Sequence, residues 1–245
     1  MESSKKALYI SNWIKDYVNS MPNKAQSLVI GISGGIDSSV SSTLSAMTGL
    51  KTIVLSMPIK QGPAQHNLSL KHQAWLIKNF KNVEAHLVNL DELFKTFESS
   101  LSKFHDEHGM ANSRARLRMT TLYQAAAANK GIVVGTGNKV EDFGVGFYTK
   151  YGDGGVDISP IADCNKTEIW ELGKELNILN EIIEAAPTDG LWDDGRTDEG
   201  QLGLKYKELE EAMDNPNSKN HEKYQEIRKL NLHKMDPIPV CKIPK

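Results

Sequence analysis

Cysteine is nearly absent: only Cys164 and Cys241 occur in 245 residues. So few thiols exclude a disulfide scaffold, and these two lack the paired spacing of a zinc ligand set. A reducing cytoplasm is the expected compartment. Long apolar runs are missing too, since nothing approaches the ~18 residues that would cross a bilayer. The segment 1–16 mixes Glu2, Lys5, Lys6 and Asp16 with apolar residues, the pattern of an amphipathic helix rather than a signal peptide. A surplus of one charge is the third absence. With 29 Lys and Arg against 31 Asp and Glu, net −2, no bulk field draws the chain to nucleic acid or to an anionic membrane. Any anion it holds must be held by local chemistry.

What is present fits a globular protein. The chain is 39% hydrophobic and 24% charged, which excludes overall disorder and suffices for one large domain spanning 1–245. Short apolar β-type runs at residues 28–32, 52–55, 85–90 and 132–134 alternate with helical patterns at 38–47, 64–80 and 92–104. Alternating strands and helices predict a parallel sheet wrapped by helices on both faces. From 135 to 157 the chain is too rich in glycine for a helix and too long for an ordinary connection. Helical patterns return at 166–176, 204–213 and 222–230, and Pro237, Pro239 and Pro244 exclude regular helix from the tail.

The first strand ends in Ser33-Gly34-Gly35-Ile36-Asp37-Ser38-Ser39. Glycines let backbone approach a phosphate closely, and a helix start offers unpaired N–H groups and a positive dipole. A tight turn with Asp37 capping the next helix is the plainer reading. No lysine occurs between residues 25 and 50, so the loop lacks the cation of the common triphosphatase loop. It suits a pyrophosphate gripped as a unit, with Asp37 holding Mg²⁺ against the phosphate oxygens. The bond to be broken is then α to β.

Ser-Gly-Gly-Ile-Asp-Ser-Ser after a buried strand resembles the signature of the N-type ATP pyrophosphatases, which adenylate an acceptor and release pyrophosphate. The segments Gly135-Thr-Gly-Asn-Lys-Val-Glu141 and Thr149-Lys-Tyr-Gly-Asp-Gly-Gly155 resemble the central part of the NAD synthetases within that group. So do Ser113-Arg-Ala-Arg-Leu-Arg-Met119, Asn165-Lys166, Ala186-Pro-Thr188, the run 198–206 and His233-Lys234. The resemblance implies an adenine-nucleotide α-hydrolase-like fold, a Rossmann-like three-layer α/β sandwich.

It also implies ATP binding by Gly31, Ile32, Ser33, Gly34, Gly35, Ile36, Asp37, Ser38, Thr136, Lys166 and Thr188, with Asp37 and Lys166 catalytic. Magnesium would fall to Asp37 and Glu141. Arg116, Lys150, Asp157, His233 and Lys234 match positions that contact deamido-NAD. Chemistry agrees in kind, because a substrate with two phosphates and a carboxylate calls for Arg and Lys. The implied reaction is ATP-dependent amidation of deamido-NAD to NAD through an adenylated intermediate. No amidase segment is evident, so ammonia is the expected nitrogen donor, and family members of this type form homodimers with the dinucleotide at the subunit interface.

Each position has a duller reading. Arg114, Arg116 and Arg118 alternate along a helix and fit a solvated cluster. Glu141 fits a surface acid, Lys150 a solvated base, Thr188 a helix cap and His233-Lys234 an exposed pair. Lys166 at a helix start opposes the dipole, which hints at a ligand. His105 and His108 read as a solvated helix end stopping at Gly109 rather than a metal pair, and Cys164 lacks a histidine partner for nucleophilic work. Segments 58–67 and 189–200 have the composition of mobile lids that keep water from an adenylate. Two other readings remain: a tRNA-thiolating or GMP-forming relative, disfavoured by two unpaired cysteines and the −2 charge, and a regulatory ATP binder, disfavoured by retention of Asp37 and Glu141.

Overall fold

Apolar runs bounded by Gly, Pro and polar residues become parallel strands in the computed structural model, which describes residues 1–188, 190–191 and 196–244; three are mostly buried, and the one at 83–87, on the sheet edge, is largely exposed. Strands β1 (Ser27–Gly31), β2 (Lys51–Ser56), β3 (Val83–Leu87) and β4 (Gly131–Val133) pair in the order β3-β2-β1-β4, all parallel. Before and between them lie helices α1 (Ser3–Ser20), α2 (Ile36–Met47), α3 (Pro63–Asn79), α4 (Asp91–Ser100) and α5 (Glu107–Ala128). The last third adds α6 (Lys166–Glu175), α7 (Asn180–Ile183), α8 (Asp198–Leu202), α9 (Tyr206–Asp214) and α10 (His221–Met235).

Strand side chains alternate between the two faces, and each face finds its own helices. Leu28, Ile30, Ile132 and Val134 meet Ile14 of α1, Val40 and Leu44 of α2 and Ile169 and Leu172 of α6. On the other face Val29, Ile53, Leu55 and Val133 pack on Phe94 of α4 and Met110 and Ala126 of α5. Leu28 and Ile30 are fully buried, a state that contributes about 1.5–3 kcal/mol for each such side chain. The expected three-layer sandwich is therefore the observed one. A further cluster, Val140, Val145, Leu202, Tyr206, Leu209 and Tyr224, joins α9 and α10 to a π-helical turn at Lys139–Val145.

Three local expectations are corrected. The third strand ends at Leu87, not at residue 90, because the chain turns there: the Asn89 side chain accepts from Asp91 N–H at 2.8 Å and opens α4. Gly109 does not end a helix. Asp106 caps α5 by accepting from Gly109 N–H at 2.6 Å, so the glycine lies in the first turn of a 22-residue helix. Asp37 does not cap α2 either; Gly35 occupies that position and Asp37 sits inside the first turn.

The strand order reverses between β1 and β4, since β1 leads to β2 and β3 on one side and β4 lies on the other. In open parallel sheets ligands bind beyond the carboxyl ends of strands at such a point. The glycine loop leaves β1 there, and the glycine-rich segment leaves β4 beside it.

Candidate active site

Small residues shape the first wall. Ser38 Oγ accepts from Ser33 N–H at 3.2 Å and donates to the Gly35 carbonyl at 3.0 Å, while Gly35 N–H donates to Ser33 Oγ at 3.1 Å. These bonds hold the turn tight at the start of α2. Gly34 has φ +92°, and a Cβ there would lie 2.6 Å from the Gln65 carbonyl oxygen and 2.9 Å from Ser69 N. Only glycine tolerates both the conformation and the closeness of α3. Part of the expected lid 58–67 is thus already the N-terminal turn of α3, packed on the loop, with Gln61 Nε2 donating to the Ser33 carbonyl at 3.3 Å. Of the other expected lid, residues 189 and 192–195 lie outside the described residues, and Asp198 and Glu199 lie in α8.

The cleft beyond this loop is lined by Gly31, Ile32, Ser33, Gly34, Gly35, Ile36, Asp37, Ser38, Thr136, Glu141, Lys166 and Thr188, bringing together every residue expected to serve ATP or magnesium. Thr188 caps no helix among the described residues; its Oγ1 accepts from Gly190 N–H at 3.2 Å. Met57, Met119, Leu122 and Val134 form an apolar wall. Of the arginines, Arg118 faces this cleft and donates to the Met57 carbonyl at 2.9 Å, whereas Arg114 is buried over the Phe94 ring, 5.2 Å from its centroid. The solvated-cluster reading holds only for Arg116, which is exposed.

At the floor an ion cluster forms. Lys166 is the first residue of α6, and its side chain is 2% exposed. Its Nζ donates to Asp37 Oδ2 at 2.5 Å and to Glu141 Oε1 at 2.9 Å. Burial pulls the ammonium toward neutrality, but the two carboxylates overcome it and hold Lys166 charged well above the ordinary lysine range. Burial, joined by the neighbouring Glu141 charge, pushes Asp37 up against the opposing pull of Lys166. For Glu141 burial acts the same way, but the Lys166 charge and the hydrogen bonds from Lys166 and Tyr206 prevail and bring it below the usual range.

Two residues of this floor are absent from the sequence-based assignment. Asn138, fully buried, donates to Asp37 Oδ1 at 3.0 Å and accepts from the N–H groups of Val140 and Glu141 at 3.1 and 3.0 Å. It thereby starts the π-helical turn that carries Glu141; such turns recur at functional sites. The sequence did hold a signal for it, because Asn138-Lys-Val-Glu141 has the helix-start pattern of a capping residue followed three positions later by Glu. Tyr206 donates its hydroxyl to Glu141 Oε1 at 2.5 Å. No local pattern points to it, since its partner is 65 residues away.

The residues matched to deamido-NAD lie elsewhere. Arg116, Lys150, Asp157, His233 and Lys234 are not part of the cleft lining. Arg116 Nε donates to the Lys150 carbonyl at 3.3 Å and Lys150 Nζ to the His233 carbonyl at 3.4 Å. Lys234 donates to the Tyr148 carbonyl at 2.7 Å, and burial lowers its pKa despite Asp153 and Asp142. These four form one basic surface. Asp157 accepts from Val133 N–H at 2.7 Å and from the Tyr123 hydroxyl at 3.1 Å, and burial together with that carboxylate pushes Tyr123 up to about 12.

Comparison with known proteins adds four findings. The chain matches the family model described as NAD synthase over residues 7–243. It is 39% identical over 207 residues to the NH(3)-dependent NAD(+) synthetase of Carboxydothermus hydrogenoformans, covering 82% of each chain. Among solved structures, the NMN synthetase of Francisella tularensis shares 31% identity with a TM-score of 0.90 over 99% of this chain and 100% of its own. The NH3-dependent NAD synthetase of Campylobacter jejuni, solved with a nitrate ion, shares 25% with a TM-score of 0.79 over the same shares.

Proposed function

The chain belongs to the NAD synthase family, and from that premise we propose that its cleft binds ATP for the amidation of deamido-NAD by ammonia. One observation carries the reading: the glycine loop, Thr136, Thr188, Lys166 and two carboxylates converge on a single cleft at the switch point of the sheet. The apolar wall of Met57, Leu122 and Val134 accepts the adenine ring, and the loop N–H groups at the start of α2 take the phosphates.

Asp37 and Glu141 fit the magnesium ion that the resemblance implies. Mg²⁺ needs only one or two carboxylates when substrate phosphates and water complete its shell, and these two already converge on one cation, the Lys166 ammonium. When bound, the ion supplies charge neutralisation at the reacting phosphates.

The chain's own residues do the rest by positioning and electrostatics. An oxygen of the substrate carboxylate attacks the α-phosphorus; the bond from that phosphorus to the bridging oxygen breaks, and pyrophosphate departs with the electron pair. The loop N–H groups and Lys166 stabilise the charge gathering on that leaving group. Ammonia then attacks the activated carbonyl, loses a proton, and AMP leaves. Lys166 thus exchanges carboxylate partners for phosphate ones, which requires only that its side chain swing within the cleft.

Arg116, Lys150, Asp157, His233 and Lys234 bind the dinucleotide on the neighbouring surface. Their position outside the cleft supports a homodimer in which a second copy completes that half, checked by light scattering in solution. The chain acts as one domain and, with both thiols free, suits the cytoplasm; no helix among the described residues is long and apolar enough to cross a membrane.

The likeness to an NMN synthetase at a TM-score of 0.90 supports a second reading, in which the amidated acid is the mononucleotide. An assay with ATP, ammonium and either deamido-NAD or nicotinic acid mononucleotide separates the two. NAD formation at the higher kcat/KM is expected; a preference for the mononucleotide selects the second reading, and turnover of neither acid refutes both.

A further inference from the structure

A tyrosine only 1% exposed must find a partner for its hydroxyl, and Tyr206 finds a carboxylate of the reaction floor. Its O–H donates to Glu141 Oε1 at 2.5 Å and lies 3.3 Å from Asp198 Oδ2. The ring is fixed independently of that bond. Trp170 meets it edge to face at 5.9 Å and 85°, and the Tyr206 backbone N–H donates to Glu199 Oε1 at 3.0 Å. Lys166 Nζ stands 4.9 Å from the ring centroid and reaches the same Glu141 oxygen at 2.9 Å. Two donors, one neutral and one cationic, therefore hold one oxygen.

The two donors differ in what a divalent cation does to them. Lys166 carries charge, so a metal taking the carboxylates repels the ammonium from between them. A neutral phenol feels no such repulsion and keeps its bond.

We infer that Tyr206 is a positioning residue: its hydroxyl fixes the Glu141 carboxylate, so that when the Lys166 ammonium leaves for the phosphates the carboxylate still faces the cleft. The inference rests on the reading of Asp37 and Glu141 as the metal-holding pair. A hydrogen-bonded partner behind a ligating group typically changes metal affinity by about 10–100-fold.

Mn²⁺ is the probe, its binding followed by electron paramagnetic resonance with a non-hydrolysable α,β-methylene ATP present. Wild type, Tyr206→Phe, Glu141→Gln and the double variant are compared. Phenylalanine keeps the ring and its contact with Trp170, and a cooperative thermal melt checks that the fold stands. Expected are about tenfold weaker Mn²⁺ binding in Tyr206→Phe, weaker binding in Glu141→Gln, and no additional loss in the double variant. Turnover of Tyr206→Phe should recover at saturating Mg²⁺. Wild-type affinity in Tyr206→Phe with weakened Glu141→Gln overturns the role of Tyr206 and leaves the metal reading standing. Wild-type affinity in Glu141→Gln removes the metal reading and this role together. A kcat depressed equally at every Mg²⁺ concentration, with Mn²⁺ affinity unchanged, marks a purely structural tyrosine and also overturns the inference.

Discussion

The cleft between β1 and β4 and the basic surface beside it both hold charged side chains, but they hold them differently. In the cleft the ammonium of Lys166 is buried and shared by two carboxylates. On the surface, Arg116, Lys150 and Lys234 spend their donors on single backbone carbonyls. A buried ion cluster is costly to break and comes preassembled, whereas a cation satisfied by a carbonyl is readily redirected to an incoming phosphate or carboxylate. On the proposed reading, the cleft needs nothing from a second copy, whereas the surface is where the dinucleotide or a second copy would bind.

The largest test of that contrast is Lys166→Met, which leaves Asp37 and Glu141 facing each other with no counter-charge. Breaking such a pair costs about 3–5 kcal/mol, to be read from urea denaturation; a loss below about 1 kcal/mol would mean the cluster is effectively solvated. Next comes Asp37→Ala, expected to lower turnover by about 10²–10³ while circular dichroism stays native. Undiminished turnover would sink the metal role.

A titration probes the packing behind the loop. His72 of α3 is fully buried, its Nε2 3.0 Å from Ser42 Oγ of α2, and burial lowers its pKa from 6.5 to about 4 against an opposing hydrogen bond at Ser39. The unfolded chain therefore binds the proton more readily. The stability contributed by neutral His72 is fully present above pH 6.5 and is lost as pH falls toward 4, amounting to about 2 kcal/mol by pH 5. Thermal melts across that window should show the loss in wild type and a flatter profile in His72→Gln; identical slopes would place the acid sensitivity elsewhere. The smallest effect is expected on the outer surface. Arg116→Ala should raise KM for the dinucleotide about tenfold, the worth of one charge-assisted hydrogen bond, leaving KM for ATP and the melting temperature unchanged.

What could be read in advance follows from how local each signal is. The strands, the glycine loop and the sandwich rest on runs of three to seven residues, and all four strands overlap apolar runs. Lys166 stood out because a cation at a helix start is unfavourable alone, and the structure shows what compensates it. Gly109 misled because glycine more often ends a helix than begins one; the carboxylate of Asp106 decided the matter. Asp37 as a cap was the wrong outcome for the same tight turn, since Gly35 took that place and freed the carboxylate for Lys166. Tyr206, Asn138 and His72 act through partners 65, 101 and 30 residues away, and no window of sequence contains such pairs.

The most direct measurement is a crystal structure with α,β-methylene ATP and Mg²⁺ bound. The triphosphate should lie against residues 33–38 with the base on Met57 and Leu122, one ion touching both Asp37 and Glu141, and Lys166 turned to the phosphates. A triphosphate lodged away from that loop, or an ion held by neither carboxylate while Lys166 still bridges them, would contradict it.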